Sequence, residues 1–233
     1  MLYHRYNPCT LLFLGISEEK LQKELASYGY PMVLSSRFSL CRVEFKLPHS
    51  VDYNSFLSSI SHQFSDYLIA INEDNLSQIL ATQLIECSET IATAESCTAG
   101  KIAAELASIP GSSAYLMEAY VVYSNQAKTR LCSVSPELIE GHGAVSAEVA
   151  LALADGARQR AGTDWAVSVT GIAGPGGGSP EKPVGTVYIG CSGSNRTVER
   201  LFLFSGDREE VRRQTMEQAI VLLLSELRLK MKN

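Results

Sequence analysis

The sequence lacks the features by which nucleic-acid-binding and membrane proteins are usually recognised. Its 20 Lys and Arg are outnumbered by 25 Asp and Glu, which gives a formal net charge of −5. No polybasic run appears, so the chain has no electrostatic footprint for nucleic acid. The apolar run near the start is too short for a signal peptide, and no later run is long enough to span a membrane. We therefore expect a cytoplasmic protein that acts on small molecules, without nucleic-acid or membrane partners.

Paired cysteines and zinc-type spacings are also missing. The six cysteines are scattered, with no CxxC pair among them: Cys9, Cys41, Cys87, Cys97, Cys132 and Cys191. In a chain of this length, that pattern indicates free thiols in a reducing compartment. No cluster of cysteine and histidine has the spacing of a zinc site. We expect neither a metal nor another cofactor.

Residues 1–72 have the pattern of a small α+β module. An amphipathic helix is predicted to begin after a cap-like Ser17, and a second helix is predicted over 51–67. Apolar and polar residues alternate strictly over 40–47, which predicts a strand with one buried face, and 67–71 predicts another strand.

Residues 73–233 alternate instead between helical patterns and short apolar strands. The strands are predicted at 90–94, 118–124, 164–171, 185–193 and 197–206. A long helix, capped by Asp207, is predicted to close the chain. Alternation of this kind predicts a three-layer α/β/α sandwich with a mixed, partly parallel sheet.

The segment TAESCTAGK, Thr93–Lys101, places Ser96 between a predicted strand and a predicted helix. A hydroxyl at such a junction can be a plain helix cap that accepts an amide hydrogen. It can also be a nucleophile, because the free N–H groups at a helix start can bind a developing oxyanion. Cys97 is a further candidate nucleophile, although a small buried thiol is the commoner role for such a residue. The residues alone leave these alternatives open.

A serine nucleophile needs a base, and no histidine has an obvious claim to that role. Lys101 lies five positions after Ser96, about 140° around a helix, so the two side chains should diverge. The segment YSNQAK, Tyr123–Lys128, lies where a predicted strand ends, at the end of a sheet where sites collect. A lysine can serve as base itself or lower the pKa of a tyrosine that does. The alternative is a strand-end tyrosine and a solvated lysine.

Glycine is concentrated in TGIAGPGGGSPEKPVG, Thr170–Gly185, directly after a predicted buried strand. Glycines let backbone N–H groups approach a ligand, often an anion, which favours a ligand-binding loop over a flexible surface hairpin. The spacing matches neither the dinucleotide-binding motif nor the P-loop. A second hydroxyl-rich turn, with Ser112 and Ser113, can bind phosphate, or its hydroxyls can only cap the local backbone.

Five motifs, taken in order, closely resemble the C-terminal domain of the competence/damage-inducible CinA family of nicotinamide-nucleotide amidases. They are TAESCTAG, IPGSSAY, VVYSNQAK, GHGAVSAE and VTGIAGPGGGSPEKPVGTVY. The match covers about residues 75–230. The earlier segment LLFLGISEEKLQKEL resembles the small KH-like middle module of full-length CinA proteins. The large N-terminal domain associated with ADP-ribose pyrophosphatase activity has no counterpart, so that activity is not expected.

The resemblance implies hydrolysis of the carboxamide of nicotinamide mononucleotide, without a metal, to nicotinic acid mononucleotide and ammonia. It implies Ser96 as nucleophile, with Tyr123 and Lys128 as its activating partners. The N–H groups of Cys97 and Thr98 would hold the oxyanion. Contacts with the nucleotide substrate are expected from Glu95, Ser112, Ser113, Asn125, Thr170, Gly171, Gly174, Gly176, Gly177, Gly178 and Thr186. Many relatives have SCTGG where this chain has SCTAG, and we expect the site to tolerate the extra methyl group of Ala99.

Two further hypotheses accompany the amidase. A catalytically silent nucleotide-binding or scaffold protein, linked to competence or the DNA damage response, would keep the same loops. The presence of Ser96, Tyr123 and Lys128 together favours the enzyme. A nucleic-acid binder is disfavoured, because the KH-like segment has no GXXG loop and no basic run. A homodimer is the expectation from the family.

Overall fold

The structure is a computed structural model that describes residues 6–37 and 39–231. Its contacts divide the chain into two units, Met1–Asn75 and Leu76–Asn233. The predicted division after residue 72 falls close to this boundary. Within the described residues, no helix combines the length and apolar character needed to cross a bilayer.

The first unit is a four-stranded antiparallel sheet with two helices packed on its apolar face. Its elements are β1 Tyr6–Leu14, α1 Glu18–Leu25, β2 Met32–Arg37, β3 Leu40–Pro48, α2 Tyr53–Gln63 and β4 Leu68–Ile71. The strand order β2-β3-β1-β4, with this β-α-β-β-α-β sequence, is a split β-α-β arrangement. The apolar positions of β3 join the core beside Leu21 of α1 and Ile60 of α2. Ser17 caps α1 as predicted, accepting a hydrogen bond from the amide of Lys20.

The α+β class predicted for this unit is confirmed, but two of its strands were not predicted. β1 shows no alternation of apolar and polar residues. Leu11 and Phe13 face the core, and Leu12 and Leu14 are buried as well, so most of its positions are apolar. β2 is an edge strand that is exposed along most of its length and carries only a short apolar run. The KH-like assignment of the unit stays a prediction.

The second unit contains five strands and six helices among its described residues. They are α3 Leu76–Cys87, β5 Ile91–Glu95, α4 Lys101–Ala107, β6 Leu116–Val121, α5 Asn125–Cys132, α6 Pro136–His142, α7 Ala147–Ala161, β7 Trp165–Gly171, β8 Thr186–Ser192, β9 Thr197–Leu203 and α8 Arg208–Met231. The sheet order is β6-β5-β7-β8-β9. β5 is parallel to β6 and β7, whereas β8 is antiparallel to both of its neighbours. The predicted mixed, partly parallel sheet is confirmed.

Two helical layers enclose this sheet. α7 packs on β5, β7, β8 and β9, and α5 and α6 lie beside it. α8 packs on β7 and β8, and α3 and α4 lie beside it. The three-layer sandwich is therefore confirmed. The predicted closing helix is α8, and the last two residues assigned to it, 232–233, lie outside the described residues.

The strand order reverses direction at β5. The chain runs from β5 to β6 on one side and then crosses back over β5 to reach β7 on the other. In open α/β sheets, ligands bind outside the carboxyl ends of the strands at such a switch point. Ser96 follows β5, Tyr123 follows β6, and Gly171 ends β7, so the predicted catalytic segments converge on this crevice.

Candidate active site

Ser96 is fixed by the two strands that flank β5. Its amide donates a hydrogen bond to the carbonyl of Val169 in β7, at 3.1 Å. On the other side, the amide of Val122, just past β6, donates to the carbonyl of Glu95 at 2.8 Å. Both bonds extend the parallel ladders by one residue, so the backbone of Ser96 is as well positioned as the sheet itself.

The helix cap at this junction is Glu95, and Ser96 is free of that role. α4 begins only at Lys101, after a Gly100 that makes no side-chain cap. The carboxylate of Glu95, which is 1% exposed, instead accepts hydrogen bonds from three amides at 2.8 to 3.1 Å, those of Gly100, Ile102 and Ala103. The carboxylate that was predicted to contact the substrate is thus buried and bonded to these three amides.

The turn between Ser96 and α4 is unusual in its backbone conformation. Ala99 has φ +52° and Gly100 has φ +93°, so two successive residues are left-handed. The amide of Ala99 donates back to the carbonyl of Ser96 at 3.1 Å, which closes the turn. Lys101, the first residue of α4, pairs with Glu209 at 2.6 Å, so its expected divergence from Ser96 is confirmed.

Lys128 provides the basic group closest to Ser96. Ser124 caps α5 by accepting the amide of Ala127, and this places Lys128 in the first turns of the helix. Its side chain is 2% exposed. The ammonium nitrogen lies 3.0 Å from the carbonyl of Val122 and 3.4 Å from Ser96 Oγ. Burial lowers the pKa of Lys128, which favours the neutral amine that can accept a proton.

Cys97 has the opposite protonation behaviour. Burial raises the pKa of its thiol to about 11, so the thiolate is scarce at neutral pH. The backbone amides of Cys97 and Thr98 act against this rise, which places both beside the sulfur. Neither amide donates to a backbone carbonyl within the described residues. Cys97 is thus a poor nucleophile, and Thr98, whose N–H acts on its sulfur, is fully buried.

Ser96, Cys97 and Lys128 line a cavity of about 230 Å³. Its lining comprises Ser96, Cys97, Tyr123, Asn125, Lys128, Ala144, Val145, Thr170, Gly171, Ala173 and Arg208. Two of the lining side chains are basic, and among the described residues no carboxylate lines the cavity. The permanent positive charge of Arg208 therefore favours an anionic ligand.

Arg208 was not among the residues predicted from the sequence. Its guanidinium donates to the carbonyl of Gly174 at 2.8 Å and to the hydroxyl of Tyr123 at 2.9 Å. β8 and β9 form an antiparallel pair, so β9 ends at the same edge as β7 and delivers the start of α8 to the cavity. The only sequence signal was the cap at Asp207, which accepts the amide of Glu210 at 2.9 Å.

Tyr123 lies at the cavity, but its hydroxyl contacts Arg208 and not the serine–lysine pair. Tyr123 is 58% exposed. Asn125, Thr170 and Gly171 also lie at the cavity as predicted. The hydroxyl of Thr170 donates to the carbonyl of Ala144 at 2.6 Å, so Thr170 also holds the opposite wall.

The glycine-rich loop reaches the cavity only at its base. Gly174 contributes through its carbonyl, which Arg208 binds. Gly176, Gly177 and Gly178 are exposed and do not line the cavity. Thr186 is buried and donates its hydroxyl to the carbonyl of Pro183 at 2.7 Å. These residues shape the loop, and the structure does not bring them to Ser96.

The turn at Ser112 and Ser113 lies at the wrong end of the sheet for a substrate contact. It precedes β6, and the carbonyl of the adjacent Tyr115 accepts the amide of Ile91, the first residue of β5. Ser96 follows the last residue of the same strand. The turn that was predicted to contact phosphate therefore lies at the opposite end of β5 from Ser96.

The fold and the site define an α/β protein in which a serine and a buried lysine meet at the carboxyl edge of a mixed sheet. A family model described as the CinA C-terminal domain matches residues 73–227. The chain belongs to the CinA family.

Individual relatives agree with this assignment. A CinA-like protein of Citrifermentans bemidjiense is 46% identical over 220 residues, covering 91% of this chain and 53% of that protein. A CinA-like protein of Geobacter sp. is 52% identical over 161 residues, covering 69% of this chain and 39% of that protein. The crystal structure of competence/damage inducible protein CihA from Agrobacterium tumefaciens is 38% identical with a TM-score of 0.62, covering 66% of this chain and 96% of that one. The chain thus spans about half or less of the length of these curated relatives.

Proposed function

We propose that this chain hydrolyses the carboxamide of nicotinamide mononucleotide, giving nicotinic acid mononucleotide and ammonia. The observation that carries the proposal is the approach of Lys128 Nζ to Ser96 Oγ at 3.4 Å. A buried amine with a lowered pKa beside a strand-end hydroxyl is the arrangement that a serine nucleophile requires. The substrate follows from the resemblance of the surrounding motifs to nicotinamide-nucleotide amidases.

In the first half of the reaction, Ser96 Oγ attacks the carboxamide carbon and its proton passes to the neutral amine of Lys128. A C–O bond forms, and the π electrons of the carbonyl move onto its oxygen. The N–H groups of Cys97 and Thr98 stabilise that oxyanion. The C–N bond then breaks, and Lys128 gives its proton to the leaving nitrogen, which departs as ammonia.

In the second half, water attacks the acyl ester of Ser96 and gives a proton to Lys128. The bond between the acyl carbon and Ser96 Oγ breaks, and the proton returns to the serine oxygen. The product is nicotinic acid mononucleotide. Lys128 therefore acts as base and acid in turn, and no other titratable group in the cavity is needed for the proton balance.

Substrate binding is assigned to the other cavity residues. Arg208 is the exposed cation at the mouth, and its planar guanidinium suits a phosphate group. The hydroxyl of Tyr123 accepts a hydrogen bond from Arg208 Nη2 at 2.9 Å, and we assign Tyr123 to orienting the nucleotide and not to proton transfer. Asn125 and Gly171 supply polar groups for the ribose and carboxamide.

Ammonia release from nicotinamide mononucleotide tests this function. We expect one ammonia for each nicotinic acid mononucleotide formed. Nicotinamide riboside, which has no phosphate, should be a weaker substrate because Arg208 loses its anionic partner. A folded chain that releases no ammonia from the mononucleotide would overturn the proposal and favour the silent binding protein.

A further inference from the structure

A second arginine of α8 contacts residues 96–100, the nucleophile turn between β5 and α4. Arg212 donates from Nη2 to the carbonyl of Thr98 at 2.7 Å and from Nε to the carbonyl of Cys97 at 3.2 Å. Its remaining Nη1 pairs with Glu209 at 2.8 Å. Arg212 is not among the residues that line the cavity, and its bonds go to these two carbonyls and to Glu209.

The bonds from Arg212 to the carbonyls of Cys97 and Thr98 fix the orientation of the amides that follow them in the chain, those of Thr98 and Ala99. In a planar trans peptide, the C=O of one residue and the N–H of the next point in opposite directions. The bond to the Cys97 carbonyl therefore directs the amide of Thr98 away from Arg212. This amide acts to lower the pKa of the Cys97 thiol, and Cys97 lines the cavity. The bond to the Thr98 carbonyl likewise directs the amide of Ala99 to the carbonyl of Ser96.

The turn needs this support because of its backbone conformation. A left-handed φ at a non-glycine residue such as Ala99 persists only where surrounding contacts hold it. Glu95 binds the amides that follow the turn, and Arg212 binds the carbonyls within it. The acidic residue and the basic residue thus hold the same turn through opposite backbone groups.

We propose that Arg212 is a positioning residue for the amides assigned to the oxyanion. It fixes the peptide of the Thr98 amide directly, and it fixes that of the Cys97 amide through the bond from the Ala99 amide to the Ser96 carbonyl. The inference rests on the proposed amide hydrolysis and deepens it. Because the amides act on charge that develops during the reaction, a displaced turn should lower kcat and leave KM nearly unchanged.

Arg212→Met tests the inference, with Arg213→Met as its matched control. Arg213 is the next residue of α8. It pairs with Glu210 and Glu217, and among the described residues it makes no hydrogen bond to the nucleophile turn. We expect kcat of Arg212→Met to fall about 100-fold, as for a small displacement of a catalytic group. Arg213→Met should match the wild type. If Arg212→Met does not fold, Arg212→Lys keeps the charge but loses the planar fork that binds two carbonyls, and should also lower kcat.

A second readout does not depend on the substrate. The rate at which a fluorophosphonate labels Ser96, measured by peptide mass spectrometry, also depends on the oxyanion-binding amides. Slower labelling in Arg212→Met than in Arg213→Met would support the inference even if nicotinamide mononucleotide proves not to be the substrate. Equal labelling rates, or a rise in KM at constant kcat, would overturn it.

Discussion

Lys128 Nζ lies 3.4 Å from Ser96 Oγ, although the two residues are 32 positions apart in the chain. Ser96 follows β5, and Lys128 lies in the helix that follows β6. Because β5 and β6 are parallel neighbours, their carboxyl ends present the hydroxyl and the amine at one edge. Burial that lowers the pKa of this amine also makes it a usable base.

Replacement of Lys128 by Met should reduce activity and raise stability. Loss of a general base lowers the rate of ammonia release by about 100- to 10,000-fold. The pKa of Lys128 is lower in the folded than in the unfolded chain. Between the folded and the unfolded pKa of Lys128, the unfolded chain therefore binds more protons, and the burial of the charged amine disfavours folding in full below the folded pKa. Lys128→Met should thus unfold at a higher temperature at neutral pH. Lys230→Met, which removes a pair with Glu89, should keep the activity.

The rate should depend on pH through Lys128. The reaction requires the neutral amine, so kcat/KM should rise as pH rises through the lysine pKa. The pKa is below its ordinary value of 10.5, which shifts the rising limb to lower pH. A pH–rate profile that begins to rise only above pH 10.5 would contradict this assignment of the base.

Glu95→Ala should destabilise the second unit. The substitution leaves three amides at the start of α4 without their acceptor, at a cost of about 2 to 3 kcal/mol. Trp165 is the single tryptophan and lies in β7, so urea unfolding followed by its fluorescence reports on this unit. Glu137→Ala, at an exposed position in α6, should change the free energy of unfolding by less than about 0.5 kcal/mol. Equal unfolding of the two variants would refute the capping role.

Ala99→Gly should stabilise the chain and keep its activity. A left-handed φ is costly for alanine and free for glycine, and the gain is partly offset by the flexibility of glycine in the unfolded chain. The expected net gain is about 0.5 to 1 kcal/mol. Ala103→Gly, within α4, is the control and should lose about 1 kcal/mol because its φ is helical. The same urea titration measures both, and a loss in Ala99→Gly would argue against strain at the turn.

Lys182→Met should weaken substrate binding more than it slows the chemistry. The amine of Lys182 bonds the carbonyl of Val145 at 2.6 Å and that of His142 at 3.4 Å. Val145 lines the cavity, so a looser wall should raise KM roughly 3- to 10-fold with little change in kcat. Glu181→Gln, in the same loop, should leave both constants unchanged. A fall in kcat with an unchanged KM would contradict the role of Lys182 in holding the cavity wall.

The serine–lysine pair could be predicted because both residues follow strands that the apolar pattern identifies. Parallel strands bring such residues to one edge whatever the details of packing. Arg208 could not be found in this way. Its place depends on the antiparallel turn from β8 into β9, which determines at which edge α8 begins.

The structure places Glu95 and Ser112 away from the substrate contacts predicted for them, for two different physical reasons. Ser96 was expected to lie directly before a helix, but α4 begins only at Lys101, and this leaves room for Glu95 to bind its first amides. Ser112 lies in a turn that resembles an anion site in composition, but it enters a parallel strand instead of leaving one. Composition does not distinguish these two ends, whereas strand direction does.

The most direct test of the account compares ammonia release from nicotinamide mononucleotide by wild type, Ser96→Ala and Cys97→Ala. Ser96→Ala removes the proposed nucleophile, whereas Cys97→Ala removes a thiol that burial keeps protonated. We predict release by the wild type, substantial release by Cys97→Ala, and none above background by a Ser96→Ala variant that unfolds at the wild-type temperature. Equal release by Ser96→Ala and the wild type would contradict the central claim that the hydroxyl beside Lys128 attacks the substrate.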